Sequence, residues 1–201
     1  MKLYQDYSVS GYANSYILGD GESGEAILVD PAEVTSTMIE QIEHNHYHLS
    51  TVLITHNHLH HVRGLRTLFR IYSPQVYASN TRLLDIPCRK VKDQEVFSVA
   101  DWSVLAIAVP GHSQDSIVYK IGNLLFTGDV LHAGIIGKTT STFNTEALIE
   151  RIKDKLLKFP DDTLILPGHG PPTTIGTERK HNLGFMKGYA EALGQSYVFF
   201  V

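Results

Sequence analysis

Cysteine is almost absent from this sequence, since Cys88 is the one residue of its type among 201. A single thiol cannot form a disulfide within the chain, and proteins without disulfides are typical of reducing compartments. We therefore expect a cytoplasmic protein in which Cys88 is structural.

Long apolar runs and an excess of positive charge are also missing. No segment approaches the roughly 20 apolar residues of a membrane helix, and the first residues, MKLYQDYSVSGYANS, lack the regions of a secretory signal. The formal net charge is −4, and Lys and Arg are scattered along the chain. We expect neither a membrane nor a nucleic acid as a partner.

Hydrophobic residues make up 43% of the chain and charged residues 19%, which is typical of a globular domain. A chain of this length buries roughly 70% of the surface that it exposes when unfolded, so it needs no covalent cross-links. There is no low-complexity linker, repeat or charge block. We therefore predict a single domain over residues 1–201, and the sequence does not indicate an oligomeric state.

Strand-like runs rich in β-branched and aromatic residues come in groups, with helical patterns between them. The runs are NSYIL, EAILV, STVLIT, QVYAS, DWSVLAIAV, DSIVYKI, NLLFT and TLIL. The helical patterns cover residues 33–47, 62–72, 145–159 and 177–193. This order predicts a layered α/β domain whose sheets are covered by helices. The stretch LHAGIIGKTTSTF, residues 131–143, is predicted to be a long functional loop.

Potential metal ligands follow four of the strand-like runs, in the segments LITHNHLHH, AVPGHS, LFTGD and LILPGHG. Strand ends that face one edge of a layered sheet can bring distant ligands to one spot. Glycine next to a ligand lets the backbone approach that spot closely. The candidate ligands are His56, His58, His60, His61, His112, Asp129 and His169.

Imidazole nitrogens and a carboxylate suit zinc, iron or manganese, and the absence of thiolates argues against a structural zinc site. Seven ligands are too many for one ion but suffice for two that share Asp129. A lone histidine at a strand end is usually a surface residue, whereas four separate matches favour a metal site. We therefore expect two divalent ions, with zinc preferred over iron or manganese.

A second histidine cluster, HNHYH, contains His44, His46 and His48 and has the same alternation as His56 and His58. It lies at the end of a predicted helix, where histidine favourably meets the negative end of the helix dipole. It has neither the strand nor the glycine context of the other motifs. We predict that HNHYH is a solvated helix terminus.

The metal motifs resemble those of the metallo-β-lactamase superfamily, and within it the glyoxalase II-like hydrolases. That family's pattern is T-H-x-H-x-D-H, G-H-[ST], F-T-G-D and P-G-H-G. Here the same positions read THNHLHH, GHS (111–113), FTGD (126–129) and PGHG (167–170). The resemblance implies a four-layer αββα sandwich with the site at one edge. It also implies a first ion on His56, His58 and His112, a second on His61 and His169, and a bridging Asp129.

The sequence departs from this family pattern in three places. His60 replaces an aspartate that ligates the second ion, and we predict that His60 ligates that ion instead. KHNLGF stands where the family usually has Asn-Pro and an aromatic residue. The residues after Asn182 are too few for the helical domain that binds glutathione in full-length glyoxalase II, so the sequence does not predict glutathione specificity.

The resulting functional hypothesis is a metal-dependent hydrolase that uses a metal-activated hydroxide on a thioester or a related small ester. Lys138, in IIGKT, is a candidate for pairing with a substrate carboxylate, and Asp30 for a hydrogen-bonding role behind the ligands. One alternative is an iron-dependent persulfide dioxygenase that uses the positions of His56, His112 and Asp129. The other is a family member that binds metal or a partner without catalysis.

Overall fold

The structure is a computed structural model that describes residues 1–20, 24–186 and 189. In chain order, its strands are β1 (Lys2–Ser8), β2 (Ala13–Gly19), β3 (Glu25–Val29), β4 (His48–Leu53), β5 (Gln75–Ala78), β6 (Arg82–Leu83), β7 (Ile86–Pro87), β8 (Arg89–Lys90), β9 (Glu95–Val99), β10 (Trp102–Ala108), β11 (Ile117–Ile121), β12 (Leu124–Gly128), β13 (Leu131–His132), β14 (Ile135–Ile136), β15 (Leu164–Pro167) and β16 (Thr173–Thr174). Its helices are α1 (Ser36–His44), α2 (Leu59–Val62), α3 (Leu65–Leu68), α4 (Thr142–Lys155) and α5 (Ile175–His181), followed by a 3₁₀ turn at Leu183–Phe185.

Most strands belong to two six-stranded sheets. The first has the order β1-β2-β3-β4-β5-β8, antiparallel from β1 to β3 and parallel from β3 to β8. The second has the order β16-β15-β12-β11-β10-β9, in which only the pair of β12 with β15 is parallel. The strand pairs β6–β7 and β13–β14 form two small hairpins.

The central strands are apolar on both faces because each face packs against a different layer. In β3, Ala26 and Leu28 pack in a cluster with Met38 of α1, whereas Ile27 and Val29 pack between the two sheets. A third cluster joins the outer face of the second sheet to α4 and α5. Strands buried on both sides read as continuous hydrophobic runs. The expected four-layer αββα sandwich is confirmed.

The predicted strand-like runs coincide with β2, β3, β4, β5, β10, β11, β12 and β15. Two sheet edges, β1 and β9, were missed because their residues alternate between exposed and buried and contain no continuous apolar run. The predicted loop at 131–143 is wrong in part, since it contains the hairpin of β13 and β14.

Two helix predictions are wrong in their extent. The pattern at 62–72 forms two short helices because the chain between them is tied to another loop: the Gly64 amide donates to Pro31 O (2.9 Å). The predicted helix at 177–193 ends at His181, because Asn182 leaves the helical conformation and caps the following 3₁₀ turn. Residues 187–188 and 190–193 of that prediction lie outside the described part of the chain. None of the helices within the described residues has the length and hydropathy required to span a bilayer.

A buried tyrosine links the two sheets near the edge where the metal motifs begin. Tyr119 of β11 is fully buried, and its hydroxyl donates to Ile54 O (3.1 Å) and Tyr77 O (3.3 Å) at the ends of β4 and β5. Tyr77 O also accepts from the Ile54 amide (2.9 Å), so removing the hydroxyl takes the donor from the buried Ile54 O. Leaving a buried acceptor unsatisfied costs about 1–3 kcal/mol.

Tyr119→Phe should therefore lower the free energy of unfolding by about 1–3 kcal/mol without changing the fold. Urea unfolding measures this, and Tyr7→Phe, at an exposed position in β1, is the control. Equal stability of Tyr119→Phe and the native protein would contradict a role for this hydroxyl in joining the sheets.

Candidate metal centre

The candidate ligands come together at one edge of the sandwich. Segment 56–61 follows β4 and enters α2, while His112 follows β10, Asp129 follows β12 and His169 follows β15. The carboxylate of Asp129 is almost completely buried at the centre of the cluster.

A first donor set consists of His56, His58, His112 and Asp129, whose ligand atoms lie within 4.8 Å of one another. His58 Nδ1 lies 2.9 Å from His56 Nε2 and 3.0 Å from His112 Nε2. The Nε2 atoms of His56 and His112 lie 3.7 and 3.6 Å from Asp129 Oδ2. These are the residues predicted for the first ion, and the structure brings them together.

A second donor set, on the same carboxylate oxygen, contains His56, His60, His61 and Asp129. His61 Nε2 lies 3.4 Å and His60 Nε2 3.7 Å from Asp129 Oδ2. His61 is fully buried, whereas the His60 side chain is 37% exposed. His60 therefore lies where a ligand of the second ion would be needed, and its ligation stays a prediction.

His169 approaches the other oxygen of Asp129, with Nδ1 2.6 Å from Oδ1. His132 of β13, which was not among the predicted ligands, lies on the same side, with Nε2 3.4 Å from Oδ1. Asp129, His132 and His169 form a third donor set. The signal for His132 was its position three residues after Asp129, inside the segment predicted to be a functional loop.

The imidazoles are oriented by acceptors behind them. Thr55 Oγ1 donates to Asp30 Oδ2 (2.6 Å) and lies 3.0 Å from His56 Nδ1, so it can accept from that ring. His61 Nδ1 lies 3.1 Å from the same Asp30 oxygen. With Nδ1 protonated, both rings direct the lone pair of Nε2 towards Asp129. This supports the predicted hydrogen-bonding role of Asp30 behind the ligands.

Lys138 touches the centre through its backbone. Its carbonyl oxygen lies 2.8 Å from His112 Nδ1, so a proton on Nδ1 leaves Nε2 for the first donor set. The side chain of Lys138 is exposed, and its pairing with a substrate carboxylate stays a prediction. On the opposite side, Gly11 O lies 3.1 Å from His169 Nε2.

Two polar side chains, those of Asp115 and Asn14, fix the positions of the ligand loops. Asp115 Oδ2 accepts from the Asn57 amide and from Asn80 Nδ2, both at 2.9 Å, which ties the His58 loop to the His112 loop. Asn14 Nδ2 donates to Pro167 O (3.0 Å) and Gly170 O (2.8 Å), which fixes the chain on both sides of His169.

Gly168 shows why glycine accompanies these ligands. A Cβ at this position would lie 2.5 Å from His61 Cε1 and 2.7 Å from Asp129 Oδ1, closer than non-bonded atoms can approach. Any side chain here would displace the ring or the carboxylate. The expectation that glycine permits close backbone approach thus has a direct geometric basis at Gly168.

The electrostatics of the cluster separate the histidines into two groups. Burial, followed by repulsion from His61, lowers the pKa of His56 to about 2. Burial also lowers the pKa of His58 and of His112. Burial acts against a charge on His61 too, but the carboxylates of Asp129 and Asp30 raise its pKa to about 9.

Asp129 is held as an anion. Burial favours its neutral form, but the surrounding imidazoles, first His132 and His169, hold the pKa of this carboxyl far below its usual range. An anionic carboxylate therefore faces the rings of His56 and His112, whose lowered pKa values favour neutral imidazole.

These donors fit divalent metal ions. His61 Nε2 is buried and has no hydrogen-bond partner, while its other nitrogen contacts Asp30. In the first donor set, the nitrogens converge at 2.9 and 3.0 Å, close to the separation of about 3.3 Å expected between ligands of tetrahedral zinc. Converging lone pairs next to an anion form an arrangement that a cation would stabilise.

The HNHYH cluster lacks both the burial and the converging donor atoms of the metal centre. His44, His46 and His48 are exposed, and none belongs to a donor group found among the described residues. His44 ends α1, and His48 begins β4 with Nδ1 2.9 Å from Glu25 Oε1. Similar spacing in the sequence thus leads to two different environments.

The sequence profile of the Metallo-beta-lactamase superfamily matches residues 10–83 and 76–169. The chain belongs to this superfamily. It is 30% identical to hydroxyacylglutathione hydrolase GloC of Haemophilus influenzae over 84% of this chain and 91% of that protein. It is also 30% identical to a hydroxyacylglutathione hydrolase of Tolumonas auensis over 83% of this chain, but spans only 66% of that protein's length.

Among solved structures, ETHE1 from Myxococcus xanthus superposes with a TM-score of 0.83 and 25% identity, covering 98% of this chain and 92% of that one. The predicted resemblance to the metallo-β-lactamase superfamily and its glyoxalase II-like hydrolases is confirmed by these relatives.

Asp30→Asn tests the acceptors behind the ligands. The substitution replaces one of the two carboxylate oxygens that accept hydrogen bonds from Thr55 and His61 with an NH₂ group. Metal affinity should therefore fall by roughly 10–100-fold. Competition with a chromophoric chelator measures this, and Asp154→Asn, on the exposed face of α4, is the control. Native affinity in Asp30→Asn would show that these hydrogen bonds do not tune the centre.

The pKa values also predict how the metal-free protein responds to pH. Folded His61 keeps a proton up to about pH 9, whereas the unfolded chain releases it near 6.5. Its contribution, on the order of 3 kcal/mol, is therefore complete below pH 6.5 and is lost as the pH rises towards 9. His56 has the opposite sign: folded His56 stays neutral down to about pH 2, so stability falls as the pH drops below 6.5.

Chelator-treated protein should consequently be most stable near pH 6.5, as measured by urea unfolding across the pH range. His61→Gln should remove the decline on the alkaline side, whatever its effect on overall stability. If the metal-free protein without substitutions keeps the same free energy of unfolding up to pH 9, the raised pKa of His61 is contradicted.

Proposed function

We propose that this protein is a metal-dependent hydrolase that cleaves a thioester or a related small ester, using two divalent ions of which zinc is preferred. The observation that carries the proposal is the convergence of His56, His58, His60, His61, His112 and His169 on the Asp129 carboxylate. Two relatives named hydroxyacylglutathione hydrolase support the same substrate class.

Metal ions bound in such a site lower the pKa of coordinated water to about 7 and polarise a carbonyl oxygen. The chain's own contribution is orientation. Asp30 and Thr55 set the ring positions of His61 and His56, and the carbonyl of Lys138 sets that of His112. These contacts fix the donors before substrate arrives, which limits reorganisation during the reaction.

One side of the centre is open to a substrate. His56 and His61 form a buried floor, whereas His58, His60 and His169 are partly exposed. A small ester can therefore approach from the side of these three rings. The small-molecule substrate, the absence of nucleic-acid and membrane partners, and the cytoplasmic location stay predictions.

A second candidate function is an iron-dependent persulfide dioxygenase. Its specific support is that His56, His112 and Asp129 share one donor set, and two histidines with one carboxylate are the ligands of many non-haem iron oxygenases. A mononuclear iron centre of this kind would not need His60. The dioxygenase reaction consumes oxygen, whereas hydrolysis does not.

One experiment separates the two candidates. Chelator-stripped protein is reloaded separately with zinc, iron, manganese or cobalt. Each form is then assayed with a hydroxyacyl-glutathione thioester, an acyl-coenzyme A thioester, a lactone and a glutathione persulfide. Thiol release is recorded for the thioesters, acid release for the lactone, and oxygen consumption for every substrate. We expect metal-dependent thiol release without oxygen uptake.

His58→Ala should reduce thioester cleavage by roughly 100-fold or more, since losing a ligand costs at least as much as losing a group behind it. His44→Ala, in the exposed HNHYH cluster, is the control and should keep native activity. Oxygen uptake with the persulfide and no thioester cleavage by any metal form would replace the hydrolase proposal with the dioxygenase.

A further inference from the structure

His132 has the features of a ligand rather than of a structural histidine. Its Nε2 atom is buried but has no hydrogen-bond partner. Asp129 Oδ1 lies 3.4 Å from Nε2, which is close enough for attraction, but the contact lacks the alignment of a hydrogen bond. Buried polar atoms are normally paired, so an unpaired one calls for an explanation.

The chemistry around His132 supplies that explanation. His169 Nδ1 reaches the same oxygen, Asp129 Oδ1, at 2.6 Å, and the rings of His132 and His169 lie 6.1 Å apart. Their donor atoms and Oδ1 lie within 4.8 Å of one another. Two imidazoles beside an anionic oxygen fit the preferences of zinc or iron better than those of manganese.

The backbone on both sides of His132 is held in place by hydrogen bonds. Thr127 Oγ1 donates to Leu131 O (2.8 Å), and the Gly134 amide donates to the buried Glu178 Oε2 (2.9 Å). The Leu183 amide donates to Gly134 O (2.9 Å). The hairpin of β13 and β14 is thus anchored on both sides, and such support is what a precisely placed ligand requires.

We propose that His132 is a metal ligand that acts with His169 and Oδ1 of Asp129, on the carboxylate oxygen opposite the one faced by His56, His60, His61 and His112. Asp129 then serves two donor sets through Oδ2 and a third through Oδ1. The substitution of imidazole for the family's aspartate at His60 is accompanied by a further imidazole on the far side of the carboxylate. This inference rests on the proposed function only in placing metal at Asp129.

The test measures binding of zinc and cobalt alone, without substrate. His132→Phe keeps a ring of similar size but has no donor, and it should bind the weaker-held ion at least about tenfold less tightly than the native protein. The tighter-held ion should be retained. His44→Phe, at an exposed helix end, is the control and should bind both ions as the native protein does.

Spectroscopy distinguishes ligation from a packing role. In cobalt-loaded protein, a ligating imidazole gives a paramagnetically shifted ring N–H signal, and His132→Phe should lose one such signal while keeping the others. His132→Gln, which also lacks the imidazole, replaces it if His132→Phe does not fold. Native affinity and an unchanged set of shifted signals would overturn the proposal, whether or not the protein cleaves thioesters.

Discussion

The carboxylate of Asp129 is the group on which the site depends. Six imidazole nitrogens, from His56, His60, His61, His112, His132 and His169, lie within 4.0 Å of its two oxygens. A buried anion is costly unless it is paired, and protonating all of these rings would set like charges against one another. Divalent cations held by the carboxylate and by neutral imidazoles would satisfy both requirements.

The sandwich provides this arrangement by joining the edges of two sheets. Asp129 and His169 follow neighbouring strands of the second sheet, β12 and β15, while segment 56–61 follows β4 of the first. Tyr119 and Asn14 connect the sheets beside the site. Because the ligands lie on different layers, their geometry depends on packing across the whole domain rather than on any one motif.

The composition of the centre has consequences for its chemistry. His60 replaces a carboxylate with imidazole, which leaves the site formally one unit more positive if His60 ligates, and His132 adds another neutral donor. Fewer oxygen donors favour zinc or iron over manganese. The acceptors behind the rings, Asp30 above all, then become more important, because they supply negative charge that no longer comes from a ligand.

Much of the fold could be predicted from the sequence because the central strands are buried on both faces. Runs such as EAILV are continuous and apolar, and they were identified as strands. The edge strands β1 and β9 were not, because an alternating, half-exposed pattern is a weaker signal. The helix at 62–72 was broken by a tertiary contact, the bond from Gly64 to Pro31, which local periodicity cannot reveal.

By itself, the sequence determined which motifs could carry ligands, because histidine or aspartate following a strand, next to glycine in three of the four motifs, is a local pattern. It also separated THNHLHH from HNHYH by their contexts. Only the tertiary structure decided which carboxylate oxygen each histidine faces, that Asp30 orients His61 and that His132 joins the centre. Most of these relations join residues far apart in the chain. Even the contact of Asp129 with His132, three residues later, depends on the folded positions of the strands rather than on spacing in the sequence.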